Sequence, residues 1–113
     1  MKFYVSLRAT KWMAAKEEAR SRVKDLATIF GSESTVRQSK KSVSLQRWFL
    51  DLERQIDEQL TLDSPKASAG IAAHITEALT SAEYLDKLES NWQVKQLMSE
   101  TKAHLKRLIR CGH

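Results

Sequence analysis

Four stretches of this chain place apolar residues three and four positions apart, the spacing of a single helix face. Trp12, Ala15, Ala19, Val23, Leu26 and Phe30 form the first stripe, and Leu45, Trp48, Phe49, Leu52, Ile56 and Leu60 the second. Ile71, Ile75, Ala78, Leu79, Ala82 and Leu85 form the third, and Val94, Leu97, Met98, Leu105, Leu108 and Ile109 the last. A stripe of this kind must be covered, and 113 residues suffice for one core but not two. The arrangement that satisfies all four is an all-α antiparallel bundle of about four amphipathic helices, packed at a shallow left-handed tilt as one unit over residues 1–113. Only 3 Gly and 1 Pro occur, too few to punctuate a sheet-rich fold.

The connections carry their own signals. Gly31 follows Phe30 where a left-handed cap is cheap, so the first helix is expected to end there. The polar run SESTVRQSKKSVS reads as an exposed connection, with Ser42 as the cap of the second helix. Ser64 followed by Pro65 starts the third, because proline at the first helical position gives up an amide that has no partner anyway. Gly70 weakens its first turns. Ser90 and Gln93 have the spacing of a capping box ahead of the last helix. Arg54 with Glu58, and Glu83 with Lys87, stand four apart as favourable pairs. The expected core contains Trp12, Phe30, Trp48, Phe49, Leu52, Ile75, Leu79, Leu97 and Leu105.

Catalytic chemistry has little to work with. His74, His104 and His113 are isolated, and no HExxH, CxxC or other ligand spacing accompanies them. His104 stands four residues after Glu100, which reads as a surface helix pair. The glycines form no phosphate-cradling loop, and Cys111 has no histidine or helix N-terminus placed to activate it. The reading is therefore a non-enzyme with no catalytic residue, no cofactor, no metal and no small-molecule substrate. The single cysteine forms no internal disulfide, which suits a reducing compartment. Arg8 and Lys11 interrupt the amino-terminal stretch early, so it is expected to stay in the folded product rather than act as a secretory signal.

The formal charge is +5, with acids interspersed among the bases. The last helix gathers Lys95, Lys102, Lys106, Arg107 and Arg110, which read first as a solvated face opposite the apolar stripe. Contact of these groups with anionic membrane or nucleic acid is the alternative, although no nucleic-acid docking fold is apparent. Trp12 and Trp48 fall on apolar stripes. Trp92, in the first turn of the last helix, is the preferred surface anchor, with packing as its other reading. Trp92, Lys95, Lys102, Lys106 and Arg107 together form the candidate interaction surface.

Several segments, in order, resemble one family: TKW at Thr10–Trp12, LATIFG at Leu26–Gly31, LQRWFLDLERQI from Leu45, and LESNWQVKQLMSETKAHLKRLIR from Leu88. They are similar to an internal portion of the strumpellin family, the large helical subunit of the WASH complex. The likeness runs from about Thr10 to Arg110 and does not extend to MKFYVSLR or CGH. The resemblance implies a non-catalytic scaffold, cytoplasmic and associated with early endosomes. Its partners would be the other WASH complex subunits, its membrane contact indirect, and its service the actin nucleation that drives endosomal sorting. Strumpellins are much longer chains, so an isolated portion is expected to leave apolar patches open where neighbouring helices would pack.

Overall fold

The computed structural model describes residues 2–32, 40–82 and 92–111 of the chain. They form four helices and no strand: α1 (Lys2–Phe30), α2 (Lys40–Gln59), α3 (Pro65–Ala82) and α4 (Trp92–Cys111). α1, with 29 residues, is the longest, and at ~1.5 Å per residue it accounts for most of a rod 52 × 22 × 22 Å across. It packs extensively against both α2 and α4, and α3 closes against α4. The edge between α2 and α3 is thin although the two are consecutive.

The pairings fix helix direction. Arg20 meets Glu53 while Phe30 meets Phe49, so α2 runs antiparallel to α1. Arg22 meets Glu100 while Lys11 shares a groove with Arg110, so α4 runs antiparallel to α1 as well. This is the up-and-down connectivity that short loops enforce.

One continuous cluster fills the interior. Trp12, Phe30, Phe49, Leu52, Ile75, Leu79 and Leu105 are all buried, as the spacing predicts, and Val94, Met98 and Leu108 join them. Trp48 and Leu97 differ from expectation: both are only partly buried and pack against the cluster from its margin. Trp48 does so edge-on, 4.9 Å from Phe49, which in turn stacks on Phe30 at 5.4 Å. Pairs of this kind add about 0.5–1.5 kcal/mol beyond area burial. Alanines line much of the contact on α1 and α3, where Ala19 and Ala72 are fully buried. Small side chains there let the backbones approach closely.

The helix ends correct two readings. α1 does stop at Phe30, but no described residue has positive φ. Gly31 and Ser32 instead donate amides to Thr28 and Ile29 at 3.1 Å, tightening the last turn in 3₁₀ fashion and leaving no use for a left-handed glycine. α2 already runs from Lys40, which places Ser42 inside it, buried, rather than at the cap. The Ser64–Pro65 start is as the spacing predicts, with the Ser64 carbonyl accepting from the Ser68 amide at 2.9 Å. Ser68 is fully buried, and its hydroxyl both accepts from the Thr61 amide and donates to the Thr61 carbonyl, each at 2.8 Å. The turn between α2 and α3 is thus tied shut from within. Ser90 of the capping box, the Glu83–Lys87 pair and Leu85 lie outside the described residues.

Two substitutions separate core from surface. Phe49→Ala should lower unfolding free energy by about 3–5 kcal/mol through the cavity it leaves, whereas Leu50→Ala, next to it but exposed, should change it by less than about 0.5 kcal/mol. Ser68→Ala should cost about 1–3 kcal/mol, because both polar groups of Thr61 lose their partner in a partly buried turn. Urea denaturation followed by circular dichroism measures all three.

Candidate interaction surface

α1 is held to its neighbours by two arginines, two residues apart and so on opposite flanks of the helix. Arg20 bonds Glu17 one turn earlier and reaches across to Glu53 of α2 at 3.0 Å. Arg22 bonds Glu18 and reaches across to Glu100 of α4 at 2.8 Å. Lys16 adds a bond from its ammonium to the Asp57 carbonyl at 2.9 Å, its charge 5.9 Å from the centre of the Trp12 ring. The Arg20 hydrogen bond holds the Glu17 carboxyl below the usual carboxylate range. Partly exposed pairs contribute only ~0.2–1 kcal/mol each, so their main effect is on register. Arg54 makes a further set within α2, with Asp51 at 2.6 Å and with Glu58 at 3.3 Å as the spacing predicts.

The Glu100–His104 pair does not form. The Glu100 carboxylate turns to Arg22 on α1, and Nδ1 of His104 is buried with no hydrogen-bond partner among the described residues. Both residues point along the α1–α4 seam rather than outward. Burial, followed by the Arg107 charge, pushes His104 below the ordinary histidine value; Arg22 adds to the depression while Glu18 and Glu100 oppose it. Trp12 is the other buried group of this kind, its Nε1 also without a partner among the described residues.

α4 separates its apolar stripe from its basic residues. Val94, Met98, Leu105 and Leu108 are fully buried, so its apolar stripe is core. Lys95, Lys106, Arg107 and Arg110 are exposed, and Lys102 is half-buried with an interaction of its own. At about 100° per residue, Trp92, Lys95, Lys102 and Lys106 fall within roughly 80° of one another, and Arg107, roughly 60° beyond Trp92, lines the seam with α1. The candidate surface therefore divides into two faces. Trp92 is 75% exposed, the most open of the large apolar side chains among the described residues. Met13, Val43, Leu50 and Leu62 are the other large apolar side chains left open.

Around the flank, a groove of about 510 Å³ follows the α1–α4 seam, lined by Lys11, Ala14, Ala15 and Glu18 of α1 and by His104, Arg107 and Arg110 of α4. Periodicity within one helix carries no sign of it, because it is made where two helices meet at a pair of alanines. Among the described residues no cluster of three or more histidine, cysteine or acidic side chains could hold a metal ion. None of the described helices is long and apolar enough to cross a membrane.

Helices that bury one another and offer charged outer faces define a helical packing segment. The chain belongs to the strumpellin family: the family model described as "Hereditary spastic paraplegia protein strumpellin" matches residues 2–113. It is similar to WASH complex subunit 5 of Homo sapiens, 31% identical over 106 residues that cover 94% of this chain and 9% of that relative. The same subunit of Danio rerio is 31% identical over 100 residues, 88% of this chain and 8% of the relative. The Dictyostelium discoideum subunit is 29% identical over 100 residues, again 88% and 8%. The chain thus spans less than a tenth of the length of these relatives. No solved structure matches it.

The half-buried His104 imidazole gives a pH signature. Its folded pKa lies below the ordinary value, so in the window beneath about 6.5 the unfolded chain takes up a proton that the folded chain refuses. The contribution to stability is intact above that pH and is lost as pH falls through the lower folded value. His104→Gln should therefore lose less stability than the native chain between about pH 7.5 and pH 5, measured as the shift in urea midpoint. An equal shift in both proteins would place the acid sensitivity elsewhere.

Proposed function

We propose that this chain is a non-catalytic scaffold segment of the WASH complex, serving actin nucleation on endosomes and endosomal sorting. The observation that carries the reading is the family match over residues 2–113, on a chain whose conspicuous features are buried helix stripes and charged outer faces. Its work is to present a rigid helical surface. It would be cytoplasmic and reach early endosomes through the other WASH subunits rather than through lipid. The stripe of Trp92, Lys95, Lys102 and Lys106, with Arg107 at its flank, is the proposed contact face: an open indole supplies apolar area and the lysines supply orientation.

A second reading is favoured by one observation: the exposed positions of α4 from Trp92 to Arg110 carry no carboxylate. Such a face suits a basic module that binds anionic membrane or nucleic acid. Binding to phosphatidylserine vesicles or to RNA that collapses between low and physiological salt would favour it.

Affinity purification of the tagged chain from cells, read by mass spectrometry, tests the first reading. The native sequence should recover WASH subunits, and Met98→Asp should lose them by forcing a charge into a fully buried position. Met98 is the sharper control than Leu97, which is only partly buried. A doubly substituted Trp92→Ala, Lys95→Glu chain, still helical by circular dichroism, should recover severalfold less. Absence of WASH subunits from the native chain, shown to be folded, would overturn the reading.

A further inference from the structure

The charge ladder along the α1–α4 seam stops partway. At one level Arg22 of α1 faces Glu100 of α4 at 2.8 Å. One turn on, Glu18 and His104 line the seam together. At the next two turns α4 presents Arg107 and Arg110, and α1 offers Ala14, Ala15 and Lys11 where carboxylates would complete the pairing. Arg107, Arg110 and Lys11 have no ion-pair or hydrogen-bond partner among the described residues. The two arginines on the opposite flanks of α1 show what such groups do in this fold when a carboxylate stands across from them: both are paired.

We infer that the groove between α1 and α4, floored by the buried Ala15, with the exposed Ala14 on its wall and Lys11, Arg107 and Arg110 at its rim, docks an acidic helical segment of a protein partner. The chemistry of the lining selects that class. A glutamate laid into the seam places its methylenes against the alanines and its carboxylate between the cations, and about 510 Å³ accommodates one or two such side chains. Arginine forks favour planar carboxylates held in two parallel hydrogen bonds. Glu18 at the far end of the groove is paired with Arg22, so the cations open to an acidic side chain stand toward the Lys11 and Arg110 end. Arg107 stands 12 residues beyond Lys95, roughly 18 Å along α4, so the groove and the Lys95 end of the Trp92 stripe can be probed apart, and the groove's existence does not depend on membership of any assembly.

The test uses the full chain and a fluorescein-labelled helical peptide of glutamate, alanine and leucine, followed by fluorescence anisotropy. Saturable binding should weaken about tenfold in Arg107→Glu, as expected for reversing a charge at a desolvated contact. It should weaken as much in Ala14→Phe, which crowds the groove from its wall without changing charge, and should stay within about twofold in Lys95→Glu, far along α4 from the groove. Circular dichroism and the urea midpoint confirm that each variant is folded. Equal loss in Lys95→Glu and Arg107→Glu, with Ala14→Phe unaffected, would mean general charge attraction and overturn the groove. No binding of the peptide, or tighter binding to phosphatidylserine vesicles that Ala14→Phe leaves unchanged, would overturn it too.

Discussion

Everything in this fold depends on α1 being shared. Its face at Ala19, Val23 and Leu26 is wholly excluded from solvent, and two neighbours rather than one pack along it. α2 and α4 cover it from either side, and the arginine on each flank of α1 fixes the register of the neighbour it meets. The energy resides in the apolar contact. Charge pairs this exposed contribute too little to hold the bundle, but a one-turn slip of α1 would break both cross-helix pairs at once and leave each arginine only its carboxylate on α1.

The same arrangement explains why the bundle is uneven. α3 packs on α4 and leaves a thin edge toward α2, although a turn of a few residues joins the two. That turn is secured by Ser68 through Thr61 rather than by apolar contact along the helices. The buried polar side chains Ser68 and Thr101 are each satisfied by backbone, Thr101 through the Leu97 carbonyl at 2.6 Å. A narrow, alanine-lined interior accommodates small hydroxyls without a large desolvation penalty.

For a segment spanning less than a tenth of its relatives, outer faces matter as much as the core. Two of them differ in kind. The Trp92 stripe is convex, aromatic and basic, suited to a broad contact; the α1–α4 groove is concave, small-floored and cationic, suited to one side chain at a time.

The four helices and the inward face of each were legible in the order of residues alone. Apolar residues repeating at helical spacing leave few ways to hide from water, and Ser64–Pro65 marks its own helix start. Relations between helices were not legible there. Glu100, four residues from His104, turned to Arg22 because residues far apart in sequence stand side by side across the seam, where an always-charged guanidinium outcompetes a depressed imidazole. Trp48 and Leu97 lie on their helices' apolar stripes yet pack only at the margin of the core, because the width of a stripe does not say how much of it a neighbour covers. Ser42 was absorbed into α2 and Gly31 needed no left-handed turn, because the packing of the ends set the local geometry. Periodicity reports which side of a helix is dry; which neighbour covers it, and which polar groups then meet, follows from how the helices settle against one another.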